Sequence, residues 1–166
     1  MEELNKLLGY ISLDAKYKQE LLYASLKQIH VKQKNHEWTF VLQNPTNFSS
    51  ELFFALEDAL KEAYKMVLNI RLEVEVEKED SSKIPEYYER TLEKVKNVQR
   101  MSMIFKDNLM SDDDTYNIEV TNVAERHQVE EMIDKINDFY REYGFTSKIG
   151  IIMNEEKSAE TKQKIQ

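Results

Sequence analysis

The chain has 166 residues, of which 41% are hydrophobic and 33% charged, and a net charge of −8. That is enough apolar material for a packed core in one ordinary domain or two small ones, and it excludes wholesale disorder. Cysteine is absent, which excludes disulfides and thiolate metal sites. Both halves are acidic, with 9 Lys and Arg against 12 Asp and Glu in residues 1–77 and 14 against 19 in residues 78–166, and no dense basic run occurs, so a generic polyanion binder is not expected.

Glu2 to Leu8 reads as a short helix that Gly9 ends, since glycine accepts the left-handed conformation at a helix C-terminus. Asp14 to Lys27 sets Tyr17, Leu21, Leu22, Ser25 and Leu26 near one helical face, with Ser12 or Asp14 as the N-cap, and a second helix is predicted there. In "IHVKQKNHEWTFVLQNP", Ile29 and Val31 alternate with polar residues, "QKNHE" is a turn, and Trp38, Phe40 and Leu42 alternate again. Period two on both sides of a short loop predicts a hairpin with one buried face. Pro45 breaks the second strand. From Ser49 to Val67 the apolar residues Phe53, Leu56, Leu60, Ala63, Tyr64 and Val67 form a helical stripe. Leu72, Val74 and Val76 return to alternation, with Glu73, Glu75 and Glu77 facing outward to guard an edge against aggregation.

The same order then recurs. "KIPEYYERTLEKVKNV" is a helix with Pro85 in its first turn. Met101, Met103 and Phe105 alternate as a strand, "SDDDT" is a loop, and Tyr116, Ile118 and Val120 repeat the pattern of Trp38, Phe40 and Leu42 78 positions later. Asn122 and Glu125 have the spacing of a capping box. Val129, Met132, Ile136, Phe139, Tyr140 and Tyr143 follow the earlier helical stripe by 76 positions, and Ile149, Ile151 and Met153 follow the closing strand by 77. The changes of offset fall in loops, as in two copies of one fold.

The expected fold is therefore α+β: two tandem small domains, each of helix or helices, β-hairpin, helix and strand, with a three-stranded sheet packed on helices. The boundaries are 1–78, 79–154 and a flexible tail over 155–166. No stretch approaches the roughly 18 apolar residues of a membrane span, and "MEELNKLLGYISL" lacks the basic and apolar regions of a signal peptide, so a cytoplasmic location is expected, away from membranes.

No catalytic or cofactor-binding constellation is visible. His30, His36 and His127 are too scattered for zinc. The acidic "SDDDTYNIEV" departs from a calcium loop, because Asn117 falls where glycine belongs and Tyr116 where a ligand belongs. Phosphate-loop, dinucleotide and nucleophile-elbow signatures are missing. Catalytic, cofactor and metal residues are thus none. Lys32, Lys34 and His36 of the hairpin, with Trp38, have the makings of a basic-aromatic platform for nucleic acid, although Trp38 shares its strand face with Phe40 and Leu42 and reads more simply as core. Phe54, off the main stripe of its helix, and the paired Tyr87 and Tyr88 are the apolar candidates for an exposed partner surface. Lys32, Lys34, His36, Phe54, Tyr87 and Tyr88 together form the candidate interaction set.

A three-stranded sheet with helices on one face resembles the type II KH fold, whose Gly-x-x-Gly loop grips nucleotides. The only glycines are Gly9, Gly144 and Gly150, so that loop is absent. The run from "LNKLLGYISL" through "IHVKQKNHEWTFVLQNPTNFSSELFFALEDALKEAY" to "IRLEVEVE" resembles the N-terminal region of PolC-type DNA polymerase III alpha subunits, and "YNIEV" and "DKINDFYREYGF" in the second half are similar too. The resemblance implies that two non-catalytic domains precede an OB fold, a PHP domain interrupted by a proofreading exonuclease, and the polymerase. The first domain would resemble the polymerase-binding C-terminal domain of the tau subunit, and the second a type II KH fold. It implies a region that is itself inert, in an enzyme that is a DNA-directed DNA polymerase. Its partners would be a replisome protein or the rest of the polymerase, with direct nucleic-acid binding, or a free-standing adaptor, as the alternative.

Overall fold

The computed structural model describes residues 2–99, 105–113 and 115–154. The chain divides into two compact units, Met1–Lys83 with Arg141–Phe145, and Ile84–Tyr140 with Thr146–Gln166. The expected tail and the alternation at Met101 and Met103 lie outside the described residues.

The first unit begins with α1 (Glu2–Tyr10). Contrary to expectation the helix runs through Gly9, which does not take a left-handed conformation. Leu4, Leu7 and Ile11 are all buried, so the apolar stripe continues past the glycine and holds it in the helix. The second predicted helix is not formed. Asp14 caps only a short 3-10 turn, Ala15–Tyr17, by accepting from the Lys16 N–H at 2.9 Å, and further turns carry the chain to β1 (Ser25–Lys32). Two tertiary interactions outweigh the helical periodicity here. Ser25 and Leu26 pair with Gln43 and Leu42, and the Glu20 carboxylate accepts from both the N–H and the hydroxyl of Ser49.

The hairpin forms as predicted, from β1 through a 3-10 turn, Gln33–Asn35, into β2 (Glu37–Asn44). Ser49 then caps α2 (Ser50–Ala63) by accepting from the Leu52 N–H. Leu52, Phe53, Leu56 and Leu60 on α2 are fully buried, each contributing roughly 1.5–3 kcal/mol relative to exposure. The helix stops at Ala63, so Tyr64 and Val67 of the predicted stripe lie beyond it. β3 (Asn69–Val76) closes the sheet parallel to β2, giving the order β1-β2-β3 with β2 central. Cross-strand pairs put Phe40 beside Leu72 and Leu42 beside Val74, and all four are buried.

The segment Arg141–Phe145 completes this unit. The Tyr143 ring stands edge-on to Phe53 and Phe54, with centroids 4.8 and 5.5 Å apart. The Asn47 side chain donates to the Tyr143 carbonyl at 3.0 Å and accepts from the Asp80 N–H at 2.8 Å. Gly144 has φ +100°, and a Cβ there would lie 2.9 Å from the Val74 carbonyl oxygen. Only glycine suits that approach.

The second unit consists of α3 (Ile84–Gln99), β4 (Leu109–Asp112), β5 (Thr115–Val120), most of α4 (Val123–Glu142) and β6 (Gly150–Met153). Its sheet has the order β4-β5-β6, antiparallel and then parallel, as in the first unit. Phe105, predicted in a strand, is buried in a turn that precedes β4, with its carbonyl bonded to the Asn108 N–H. Asn122 caps α4 by accepting from the Glu125 N–H at 2.9 Å, while Glu125 reaches back to the N–H and hydroxyl of Thr121. The box is reciprocal, but its return bond goes to the residue before the cap. The protein is thus α+β, with two three-stranded sheets packed against helices. The repeat differs in one detail: Phe40 faces Leu72, whereas its counterpart Ile118 faces Ile151, the counterpart of Val74. The last strand of the second unit is slipped by one pleat.

Candidate functional site

The hairpin tip is built by local rules. The 3-10 turn ends at His36, whose φ of 48° puts it in the left-handed region, and this turns the chain sharply enough to start β2. Asn69 pins the tip to the head of β3, donating from its N–H to the His36 carbonyl at 3.0 Å and from its side chain to the Asn35 carbonyl at 3.2 Å. Lys32, Lys34 and His36 are all exposed here. Lys32 lies 3.7 Å from Glu37, and Lys34 has no ion-pair partner among the described residues.

Charges around the tip are largely matched. Arg71 lies 3.6 Å from Glu37 and also pairs with Glu142. Burial works against its charge, but the carboxylates of Glu142, Glu37 and Glu73 together outweigh it, and its pKa is raised. Lys61 and Lys65, on a neighbouring groove of about 560 Å³, pair with Glu57 and Glu62. This groove is lined by as many apolar as basic side chains, among them Val67, Leu68 and Ile70.

Trp38 does not join the lysines. Its side chain lies on the face shared by Phe40, half-buried with its ring 5.4 Å from Tyr64, while Lys32 pairs with Glu37 and belongs to the opposite face. Phe54, Tyr87 and Tyr88 were expected to be exposed, and the structure buries all three. Phe54 lies against Phe53 and Tyr143. Tyr87 meets the Tyr140 ring, and the Tyr88 hydroxyl donates to the Phe105 carbonyl at 2.9 Å. The reason is that each helix buries more than one narrow stripe.

Sequence reasoning missed the exposure of β1. Residues Lys27 to Lys32 are exposed throughout, with Ile29 at 44% and Val31 at 53%, whereas Thr39 to Leu42 of β2 are buried on both faces. The signal was the unbroken "TFVL" run, which marks a central strand with both faces covered and so leaves its hairpin partner at the edge. Met66 and Leu68, between α2 and β3, are exposed as well.

Apart from the buried Tyr88, the perturbed ionisable groups are ion-paired or hydrogen-bonded near the surface rather than gathered in a cleft. The Lys16 ammonium beside Glu51 holds that carboxyl below its usual value. Lys27 does the same for Glu75 across the sheet, and the Ser82 hydroxyl does so for Asp80. Among the described residues no group of three or more His, Asp or Glu is placed to hold a metal ion, and no helix is long and apolar enough to cross a membrane.

These features define a small α+β module of helix, hairpin, helix and strand whose exposed edge and hairpin tip are its distinctive surface. Residues 3–74, from α1 almost to the end of β3, match the family described as DNA polymerase III polC-type N-terminus I. The match covers less than half of the chain, and the family it names is the one that the sequence resembles. No curated protein matches the chain.

Proposed function

We propose that the chain is a non-catalytic interaction and positioning region at the front of a replicative DNA polymerase of the PolC type, binding a replisome protein or the remainder of the polymerase. The observation that carries this reading is the family match over residues 3–74. The paired surface charges and the exposed β1 edge support a docking role over a chemical one. In this reading the chain needs no cofactor, works in the cytoplasm, and leaves polymerisation and proofreading to other parts of the parent enzyme. The second unit is proposed as a KH-like module that has lost the nucleotide grip along with the Gly-x-x-Gly loop.

The test is to sequence the reading frame beyond Gln166 and to assay the isolated chain with primed template and deoxynucleotides. A frame that continues into OB, PHP, exonuclease and polymerase sequences, with no nucleotide incorporation by the isolated chain, is the expected result. A stop codon directly after Gln166 would sink the polymerase reading in favour of a free-standing adaptor. Incorporation by the chain alone would show that it is catalytic.

A further inference from the structure

We infer that the outer edge of β1 is a docking site for an extended segment of a partner protein in which apolar and acidic residues alternate, added to the sheet as a fourth strand. The inference rests on the reading of the chain as an interaction region, and it specifies the surface, the binding mode and the chemistry of the partner.

β1 is an edge strand of eight residues that pairs only with β2 among the described residues, so its other side presents a row of backbone groups to solvent. Such edges are templates for strand addition unless they are covered or blunted. Neither Pro nor Gly interrupts β1, Lys27 to Lys32 are all exposed, and the edge lysines, which guard against strands of like or no charge, leave the edge open to an acidic one. The one irregularity is a register shift between Leu26 and Gln28. The stretch beyond it is regular.

The two faces of the edge differ in chemistry. Ile29 and Val31 pair with Phe40 and Trp38, so they extend the core face of the sheet outward past the point where neighbouring side chains cover it. His30 and Lys32 pair with Thr39 and Glu37 on the opposite face. A fourth strand would set one row of its side chains against Ile29 and Val31 and the alternate row beside His30 and Lys32, because side chains alternate with period two. Apolar residues suit the first row and carboxylates the second.

Charge selects the same partner. Residues 27–36 hold three lysines, two of the chain's three histidines and no carboxylate, in a protein of net charge −8. Lys27 and Lys32 are already near Glu75 and Glu37, but their side chains remain 41% and 64% exposed. Exposed ion pairs of this kind are weak and exchange readily. Lys34 has no ion-pair partner among the described residues. The cationic side chains along this edge therefore favour an acidic strand over a basic one.

The experiment uses the full 166-residue chain, labelled with nitrogen-15. The probe is a blocked octapeptide of alternating valine and glutamate, at neutral pH, where its own charges keep it from self-assembling. The control has lysine in place of glutamate. Expected are shifts and slowed hydrogen exchange at the amides of residues 27–32, and affinity at least tenfold greater for the glutamate peptide. Lys34→Glu, in the turn and outside the ladder, should weaken binding severalfold without altering the fold. Val31→Glu should remove it by setting a carboxylate against the valine row.

Absence of protection along β1 at millimolar peptide would overturn the inference, as would equal binding of the lysine peptide. Concentration-dependent protection of β1 without peptide would assign the edge to a second copy of the chain instead. Displacement of the peptide by oligothymidylate, with an affinity that falls steeply with salt, would assign it to nucleic acid. If the peptide fails while the reading frame runs on into polymerase sequences, the docking edge alone is lost. If the peptide binds while the frame stops, the polymerase reading alone is lost.

Discussion

Asn137 serves Ile149 as a strand would. Its side-chain amide donates to the Ile149 carbonyl at 3.0 Å and its oxygen accepts from the Ile149 N–H at 2.8 Å, both bonds buried. The pair satisfies the backbone just ahead of β6, where the ladder with β5 has not yet begun. Asn137→Ala would leave a buried N–H and carbonyl unpaired, at a cost of about 2–4 kcal/mol. Urea unfolding should show this as a lower midpoint at unchanged slope. Asn137→Asp should restore only the N–H bond and recover part of the loss.

Gly144→Ala tests the close approach to β3. The residue has φ +100°, and the added methyl would meet the Val74 carbonyl, which is backbone and cannot step aside. A loss of about 1–3 kcal/mol is expected from the left-handed backbone and the clash together. Gly9→Ala is the control: nothing lies within 4 Å of a Cβ there and the residue is helical, so that change should stabilise the protein by about 0.4–1 kcal/mol. Thermal melts of the two variants should move in opposite directions.

Tyr88 makes stability depend on alkaline pH. Burial pushes its hydroxyl above the ordinary tyrosine value of 10.0. The folded state therefore favours the neutral phenol, a contribution that is complete below pH 10 and fades as the pH rises toward the raised value. In an absorbance titration Tyr88 should ionise above the ordinary tyrosine value. Tyr88→Phe should remove that step. It should also cost about 1 kcal/mol at neutral pH, from the lost bond to Phe105, and the variant should lose less stability than the parent above pH 10.

The cap of α4 gives a graded series. Asn122→Ala removes the acceptor for the Glu125 N–H and should cost about 1 kcal/mol. Glu125→Ala frees the N–H and hydroxyl of Thr121 instead and should cost a similar amount. The double variant should lose less than the two separate losses combined if the box acts as a unit, a comparison that a double-mutant cycle makes directly.

The sequence was most legible where one interaction scale acted alone. Alternation at Trp38, Phe40 and Leu42 and the stripe through Phe53, Leu56 and Leu60 both describe burial against one neighbour, and both elements formed. Asp14 to Lys27 failed because its helical spacing competed with the pairing of Ser25 and Leu26 to β2, which no local pattern announces. Ile29 and Val31 alternate as buried residues do, yet a strand's place at the edge or the centre depends on the whole sheet. Phe54 owes its burial partly to Tyr143, 89 residues further along the chain, and no periodicity within α2 reports that. Of the interaction set, the tip residues Lys32, Lys34 and His36 were placed at the surface by turn chemistry alone, while the aromatic members required knowledge of the packing.

Closure of the first unit by Arg141–Phe145 bears on how this protein is made and dissected. A nascent chain that has reached Lys83 already holds all three strands of its first sheet, yet the rings of Phe53 and Phe54 still await Tyr143, and the Asn47 amide awaits its acceptor. Until about sixty more residues leave the ribosome, several seconds at ordinary rates of synthesis, that flank stays wet. A fragment ending at Lys83 would be held permanently in the same state, with two phenylalanines offered to whatever hydrophobic surface comes by.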